Sequence, residues 1–317
     1  MTTDVREATA RVISLLPAGT EIVAALGAAD MLVGITHECD YPPEVTDRPR
    51  VTGSAVDRDA TSAAIDASVR ALAESGAPVF ALHVDDLRRL APTVILTQSL
   101  CDVCAVSEGD VRALASVLHP APTIVPLTGT TLDGVWADIR AVGDAIGRVH
   151  EADLLLASIN NRLQDVHRVL KAARAARPRV AVIEWLDPLF VAGHWTPELV
   201  KRGGGIDVLA KPGEHSVRMD VSRIRDAAPE LLLFAPCGFD VERAEREARV
   251  LLATEAWSWA SGVQAWALDG NALTSRPGPR LADAVEVIAA IVAPRQFAAP
   301  AAHYARRIGV ARDSSGA

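Results

Sequence analysis

Soft and titratable side chains follow the apolar runs of this 317-residue chain, at the points where buried strands are expected to end. All four cysteines and two histidines have this placement, namely Cys39, Cys101, Cys104, Cys237, His37 and His194. In open α/β sheets, ligands bind in the crevice beyond the carboxyl ends of the strands. The pattern therefore predicts one polar, sulfur-containing site to which both halves of the chain contribute.

Two short motifs in this group have spacings that a metal ion tolerates. Cys101-x-x-Cys104 can aim both sulfurs inward, and Cys39 with His37 or Cys237 can complete a tetrahedral zinc site. A metal-dependent or thiol-dependent enzyme is therefore one hypothesis for this chain. The alternatives are reduced thiols that line a pocket or pack in the core, and a cysteine pair that cycles through a disulfide.

Strand-like and helix-like runs alternate along the first half of the chain. The expected strands and helices there are strands 11–16, 32–35, 93–96 and 123–127 and helices 20–26, 85–90 and 111–118. After Pro178 the pattern restarts, with strands 179–183, 231–234 and 265–268 and helices from Thr196 and at 222–228, 244–254 and 281–291. Such alternation predicts parallel sheets with helices on both faces.

The segment 148–176 has a different pattern, because apolar residues recur there every three or four positions without a glycine or proline. One continuous helix is expected, and at 1.5 Å of rise per residue it would extend roughly 40 Å. It separates an N-terminal α/β lobe at 11–147 from a C-terminal α/β lobe at 178–297. Residues 298–317 are small, polar or basic, and we expect a flexible tail there.

Composition argues against several classes of function. Half of the residues are hydrophobic, and the formal net charge of −8 comes from interspersed acids and bases, which is unlike a nucleic-acid surface. No apolar run is long enough to span a bilayer, so membrane insertion is not expected. Residues 1–11 are charged and lack the apolar core of a secretory signal, which leads us to expect a cytoplasmic location and reduced thiols.

Several stretches, in their order along the chain, resemble the class III substrate-binding proteins that serve ABC importers of cobalamin and ferric siderophores. These stretches include 12–21, Asp40-Tyr-Pro-Pro43, 193–198 and Ala228-Pro-Glu-Leu-Leu232. The resemblance covers about residues 11–296. It implies two Rossmann-like lobes with parallel sheets joined by one long α-helix, and a non-catalytic protein whose ligand lies in the cleft between the lobes.

In cobalamin-binding members of this family, the tyrosine of Asp-Tyr-Pro-Pro packs on the corrin ring, which implies that role for Tyr41. Aromatic residues of the second lobe would supply a facing wall, namely Trp185, Phe190, Trp195 and Phe239. Core packing is the alternative for each of them. Glu184 would hydrogen-bond the corrin amides. Cobalt accepts an imidazole as an axial ligand, for which the candidates are His37, His194 and His215.

The expectation is therefore a soluble binding protein for a cobalamin-like corrinoid. A haem or ferric-siderophore binding protein is a further alternative, against which the low count of two tyrosines weighs. The resemblance also implies one acidic residue per lobe that docks the transporter permease. Asp85 or Asp86 can fill the first position, but Ser222 stands where the second acid belongs, so docking at a permease is not expected.

Overall fold

The computed structural model describes residues 10–98, 108–116 and 118–309, and these form two compact units. The N-terminal unit takes the described residues up to 58, those of 68–129, and 133–156. The C-terminal unit takes 59–67, 130–132 and the described residues from 157 onward. Both units combine helices with a sheet that contains parallel strands, which confirms the α/β fold class.

The N-terminal unit is built on a four-stranded, fully parallel sheet in the order β2-β1-β5-β6. The strands and helices of this half of the chain are β1 (Val12–Ser14), α1 (Pro17–Ala25), β2 (Leu32–Ile35), β3 (Thr52–Ser54), α2 (Ser62–Ser75), β4 (Phe80–Leu82), α3 (Val84–Leu90), β5 (Val94–Gln98), α4 (Glu108–Ala115), β6 (Thr123–Leu127) and α5 (Leu132–Ala145). β3 and β4 form a separate antiparallel pair. Because the four main strands are parallel, their carboxyl ends share one edge.

Residue types explain where α1 begins and ends. Pro17 occupies the first turn, where its missing N–H costs nothing. Gly27 follows the helix with a φ of 67°, a left-handed conformation that glycine adopts without steric cost. Its N–H donates to Ala24 O at 2.9 Å, which satisfies one of the last carbonyls of the helix. The predicted helix 20–26 therefore ends close to the expected position, but it begins three residues earlier, at Pro17.

The long helix α6 runs from Val149 to Ala172, which is shorter than the predicted 148–176. It ends early because Arg174 takes a left-handed conformation with a φ of 47°, while Ala175 N donates to Leu170 O at 3.1 Å. The predicted apolar stripe is present, since Ile159, Leu163 and Val166 are buried. The boundary between the two units falls inside this helix, at 156/157.

The C-terminal unit has a mixed sheet in the order β10-β8-β7-β11-β12-β13, with β9 paired to β7. Its strands and helices are β7 (Arg179–Leu186), β8 (Leu189–Val191), α7 (Thr196–Arg202), β9 (Ile206–Asp207), β10 (Val217–Arg218), α8 (Val221–Asp226), β11 (Leu231–Phe234), α9 (Val241–Leu252), β12 (Gln264–Leu268), α10 (Gly270–Leu273), α11 (Leu281–Val292) and β13 (Ala305–Ile308). β7, β9, β11 and β12 are mutually parallel. β8, β10 and β13 are antiparallel to their neighbours, so antiparallel strands that the sequence analysis did not predict flank the parallel centre of this sheet.

Each unit repeats one local arrangement in which an arginine ties a helix end to the first strand. Arg11, just before β1, donates to Leu90 O and Ala91 O at the end of α3. Arg179, which opens β7, donates to Ala227 O and Ala228 O at the end of α8. In both cases the alanine before the proline has a positive φ, and a buried strand follows. Ala91-Pro92 and Ala228-Pro229 therefore stand at the same place in the two repeats.

The expectation of a flexible tail from residue 298 is wrong for 305–308, which form β13 and pair with β12. Ala305 and Ile308 face the core, while Arg306 bonds to Glu242 on α9 at 2.8 Å. Both ends of this strand are buried, and its two arginines lie between them. Among the helices that the structure describes, none has both the length and the apolar character needed to cross a bilayer.

Candidate functional site

The loop after β2 carries a compact network of hydroxyl and imidazole groups. Thr52 Oγ1 lies 2.7 Å from His37 Nδ1 and 2.8 Å from Thr36 Oγ1, and it accepts a bond from His37 N at 3.0 Å. The His37 ring also packs on Phe80, with ring centroids 5.6 Å apart. Its other nitrogen, Nε2, is buried and has no hydrogen-bond partner among the described residues. The network therefore fixes the ring through one nitrogen only.

His37 is neutral at physiological pH. Burial lowers the pKa of the imidazole to about 4, and the positive charges of Arg58, Arg50 and His83 act in the same direction. Since a neutral imidazole nitrogen is a metal ligand, His37 keeps the chemistry that the sequence assigned to it. The contacts with Thr36 and Thr52 explain the position of the ring without a bound metal.

Arg50 holds the rest of this loop through backbone carbonyls. Its guanidinium donates to Thr36 O at 2.9 Å, to Cys39 O at 2.5 Å and to Thr46 O at 3.1 Å. The Cys39 thiol is buried and lies 3.0 Å from Thr20 Oγ1 on α1. The loop therefore has one cation at its centre and a buried sulfur at its base.

Tyr41 is displayed by this loop with 43% of its surface exposed. The residues on either side of it are fixed, since Cys39 N donates to Thr36 O and Val45 N donates to Pro42 O. The peptide bond between Tyr41 and Pro42 is cis. An aromatic ring presented from an ordered loop is a suitable wall for a flat apolar ligand.

At the carboxyl ends of β7, β11 and β12, the loops of the C-terminal unit are bonded to each other. Cys237 N donates to Glu184 O at 3.1 Å, and Asn271 N donates to Phe239 O at 3.1 Å. Gly270 approaches the carbonyl of Pro236 so closely that a Cβ would collide with it. Glu184 is half-buried at this edge and Cys237 is exposed. The structure thus places both predicted site residues at one edge of the sheet.

Trp185 and Phe239 form an aromatic pair at the same edge. Their ring centroids are 5.4 Å apart, and the indole N–H of Trp185 donates to Asp187 O at 3.1 Å. Phe239 is 2% exposed, with the guanidinium carbon of Arg243 3.5 Å from its ring centroid. Phe239 is therefore a support, whereas Trp185 is half-buried and keeps part of its surface outside the core. Phe190 lies opposite Trp185 in the β7–β8 pair and is also half-buried.

His194 does not follow a parallel strand, contrary to the premise that grouped it with the cysteines. β8 runs back along β7, so Val191 pairs with Ile183 and Ala192 N donates to Val182 O. The chain therefore returns toward the middle of β7 before it reaches His194. There the structure brings His194 together with His215, another predicted site residue, with Nε2 and Nδ1 3.2 Å apart. Burial and the adjacent His215 lower the pKa of His194.

Trp195 belongs to the core, where its side chain has a structural role. It is 7% exposed, and its indole N–H donates to Thr274 O at 2.8 Å. Core packing was the alternative for each aromatic residue, and the geometry gives Trp195 and Phe239 that environment. Contact of any of these side chains with a ligand stays a prediction.

The predicted zinc site has no counterpart in the part of the chain that the structure describes. Within it, no three histidine, cysteine, aspartate or glutamate side chains are grouped as metal ligands. Cys101 and Cys104 lie outside the described residues, so the Cys-x-x-Cys hypothesis stays a prediction. Cys39 and Cys237 belong to different units.

A cavity of about 550 Å³ lies elsewhere in the C-terminal unit, between α6, α11 and the segment before β13. Arg162 crosses it and bonds to Asp283 at 2.5 Å and Glu286 at 2.7 Å, surrounded by apolar side chains such as Val166 and Phe297. These bonds raise the pKa of Arg162. None of the predicted site residues lines this cavity.

Sequence reasoning missed the residues that hold the site residues in place. Thr52 is 15 positions from His37 and meets it only because β3 brings it there, so no spacing in the sequence reveals the pair. Arg50 bonds to Cys39 O, 11 positions away, and Arg243 bonds to Ala60 O, 183 positions away. The available signal was a loop with three prolines that ends at an arginine, Arg50, and it is a weak one.

Comparisons with known proteins agree with this architecture. Residues 12–264 match the family described as periplasmic binding protein. The chain is 23% identical over 279 residues to a vitamin B12-binding protein of Vibrio cholerae, covering 88% of this chain and 87% of that protein. It is similar to the crystal structure of a periplasmic haem-binding protein from Pseudomonas aeruginosa, with a TM-score of 0.71 and 17% identity over 96% of this chain and 100% of the other.

A second solved structure, the periplasmic vitamin B12-binding protein BtuF of Vibrio cholerae, gives a TM-score of 0.62 and 21% identity over 91% of this chain and 98% of the other. At these identities the structures show the fold alone. The family match covers most of the chain, and the proteins of this family bind small molecules for ABC transporters without catalysing a reaction. The prediction that the chain is not an enzyme is therefore confirmed.

Proposed function

Because this chain belongs to the periplasmic binding protein family, we propose that it is a binding protein whose ligand is a corrinoid of the cobalamin type. The family match establishes the binding role, and the identity of the ligand is the proposal. Relatives and structural neighbours bind vitamin B12 or haem, so the choice depends on the residues of this chain.

The observation that carries the proposal is the exposed ring of Tyr41 on the Asp-Tyr-Pro-Pro loop. A corrin offers broad apolar faces, and an aromatic ring that is ordered but accessible suits such a face. Arg50 anchors the loop through carbonyls, so Tyr41 is held without being buried. The vitamin B12-binding relative matches this chain over 88% of its length, which supports the same choice.

The C-terminal unit offers complementary chemistry at the edge formed by β7, β11 and β12. Trp185 supplies a second accessible aromatic surface, supported from behind by Phe239. Glu184 lies beside it and can accept hydrogen bonds from the amides that surround a corrin. The sequence predicts that the ligand contacts both lobes, and one substitution in each unit tests that prediction.

Titration with hydroxocobalamin tests the proposal directly. We expect one molecule bound per chain by calorimetry and a shifted visible spectrum. Tyr41→Ala removes the ring and should weaken binding by about tenfold, and Trp185→Ala should do the same. Tyr41→Phe is the matched control, because it keeps the ring face and should bind like the wild type. Absence of heat and of a spectral change at saturating concentration contradicts the proposal.

A tetrapyrrole with iron is the second candidate. A periplasmic haem-binding protein from Pseudomonas aeruginosa shares this fold, with a TM-score of 0.71, and is the observation that suggests this candidate. The sequence has only two tyrosines, Tyr41 and Tyr304, as phenolate ligands for iron. Titration with haemin under the same conditions separates the candidates, since the tighter ligand identifies the class.

Delivery to a permease is a separate question. Asp85 and Asp86 are on α3 and form ion pairs with Arg88 and Arg89, at 3.2 and 2.9 Å. Ser222 is exposed near the start of α8 and carries no charge. These positions support the expectation that this chain does not dock as the family does, and that expectation stays a prediction. A cytoplasmic location likewise stays a proposal, which cell fractionation can test.

A further inference from the structure

Two imidazoles of the C-terminal unit meet at an accessible position. His194 Nε2 and His215 Nδ1 are 3.2 Å apart, and the ring planes are nearly perpendicular at 88°. His215 is exposed and His194 is half-buried, so an ion in solution can reach both nitrogens. Two neutral histidines can share one hydrogen bond, but that bond alone does not require the backbone bonds that also hold the two residues together.

The backbone holds the two histidines together independently of their rings. His194 N donates to Glu214 O at 2.6 Å, and Gly213 N donates to His194 O at 2.9 Å. Gly193 N adds a bond to Ser216 Oγ at 3.2 Å. A Cβ at position 193 would lie 2.5 Å from Glu214 O, so only glycine permits this close approach. The two rings are therefore brought together before any ligand binds.

His194 has an uncommon backbone conformation for a residue with a side chain. Its φ is 53°, in the left-handed region. Residues held in such conformations are concentrated at ligand sites, where the surrounding structure maintains the strain. The conformation turns His194 toward the 211–216 loop, and the hydrogen bonds to Gly213 and Glu214 maintain it.

The separation of the two nitrogens fits chelation of one metal ion. Imidazole–metal bonds of about 2.0–2.1 Å that meet at roughly 100° place their nitrogens about 3.2 Å apart. We propose that His194 and His215 bind one divalent transition ion, Cu²⁺, Ni²⁺ or Zn²⁺, through Nε2 and Nδ1. These ions favour imidazole ligands, and the exposed His215 side chain can rotate to direct its lone pair at the ion.

Proton balance is simple for this step. In the metal-free pair, the nitrogen that donates across the 3.2 Å contact carries a proton, and the other nitrogen accepts. When the metal binds, that proton moves to the far nitrogen of the same ring, so both rings remain neutral and no net proton is released. Water or a small donor molecule fills the remaining coordination positions, because in the described parts of the chain no third such side chain completes a metal cluster.

Joint binding of one ion by both histidines differs from the axial cobalt ligation that the sequence suggested for either of them. A corrin or porphyrin occupies the four equatorial positions of its metal, which leaves one axial position on each face. Two imidazoles 3.2 Å apart are neighbouring ligands and cannot both occupy those axial positions. The pair is therefore suited to an ion that carries no macrocycle, and the two proposals can fail independently.

Calorimetric titration of the full chain, without a polyhistidine tag, with Cu²⁺, Ni²⁺ and Zn²⁺ tests the proposal. We expect one tight equivalent for at least one ion. His215→Ala and His194→Asn should each weaken it about 10²-fold, because each removes one arm of the chelate. Asparagine tolerates the left-handed conformation, so His194→Asn should keep the fold. Circular dichroism and the unfolding midpoint check this.

His167→Ala is the matched control, because His167 is an exposed histidine on α6 and is not part of the His194–His215 pair. It should bind metal like the wild type. With Cu²⁺, electron paramagnetic resonance should show two coordinated nitrogens in the wild type and one in each single variant. Equal affinity in the wild type and His194→Asn, or a loss of binding in His167→Ala as large as in His215→Ala, overturns the proposal.

Discussion

The loops beyond the two sheets are held in place by different chemistry. In the N-terminal unit, the loop after β2 depends on polar contacts, in which Arg50 binds three carbonyls and Thr52 binds His37. In the C-terminal unit, the corresponding edge depends on aromatic burial, in which Phe239 packs between Trp185 and Arg243. Tyr41 is consequently an exposed ring on a loop held by hydrogen bonds, and Trp185 is a half-buried ring that packs on the aromatic ring of Phe239. The two aromatic residues should therefore contribute differently to stability even if both contact a ligand.

Removal of the aromatic support should have a large effect on stability. Phe239→Ala deletes a side chain that is 2% exposed, and we expect it to lower the free energy of unfolding by about 3–5 kcal/mol. Tyr41→Ala should change that free energy by no more than about 0.5 kcal/mol, because the ring is exposed. Urea denaturation of the two variants measures both values. A cost for Tyr41→Ala equal to that of Phe239→Ala would show that the first loop is also held by its aromatic residue.

The cation on the Phe239 ring should have an intermediate effect. Arg243 contacts the ring, bonds to Glu247 at 2.9 Å and donates to Ala60 O, and both members of its ion pair are largely covered. Arg243→Met should therefore cost about 1–3 kcal/mol of unfolding free energy. Arg249→Met, on the same helix, is the control, since its pair with Glu245 is more exposed and is worth about 0.5 kcal/mol or less. Similar urea midpoints for the two variants would show that Arg243 does not stabilise this edge of the sheet.

The contribution of the loop after β2 to stability should decrease at acidic pH, because this loop contains His37. The pKa of His37 is about 4 in the folded chain and near 6.5 in the unfolded one, so the unfolded state binds the proton first as the pH falls. The free energy of unfolding therefore decreases between about pH 6.5 and pH 4. Below pH 4 the protonation of His37 lowers it no further. The imidazole is partly exposed, and we expect the loss at pH 5 to be about 1 kcal/mol once solvent screening is considered.

His37→Asn should remove this component. Urea midpoints at pH 7.5 and pH 5 give the comparison, and the difference between the two pH values should be smaller in the variant than in the wild type. His167→Asn, an exposed residue, serves as the control and should behave like the wild type. An unchanged pH dependence in His37→Asn means that other groups account for acid sensitivity.

Regular patterns in the sequence predicted the regular parts of the fold. Alternating runs located the four strands of the N-terminal sheet and β7, β11 and β12 of the C-terminal sheet, and Gly27 marked the end of α1 because its left-handed conformation suits glycine. The apolar stripe of α6 was also visible. Its last residues were not helical, since Arg174 adopts a conformation that the sequence pattern does not reveal.

Strand direction and edge strands were the parts that the pattern did not predict. Leu186 and Leu189 flank a two-residue connection, and this short spacing was a hairpin signal that would have shown β8 to be antiparallel. β13 carries two arginines, so its composition looks like a tail. It is a strand because Ala305 and Ile308 complete the core beside β12.

The candidate site was predictable in its residue types and less so in its contacts. Tyr41 and Trp185 were identified from the Asp-Tyr-Pro-Pro motif and from their position after strands, and both retain accessible surface. The side chains that position them, Arg50 and Phe239, act across many residues of sequence. Such long-range partners depend on how strands pair, which a single sequence does not specify.

Hydrogen exchange of the full chain with and without saturating hydroxocobalamin tests the central claim most directly. If this binding protein takes a corrinoid on the loops beyond its sheets, amides of residues 36–46 and of residues 184–190 and 235–240 should exchange more slowly in the complex. The Tyr41→Phe variant should show the same protection, and Tyr41→Ala should lose it at equal ligand concentration. No protection at all, or protection confined to the cavity between α6 and α11, would contradict the account.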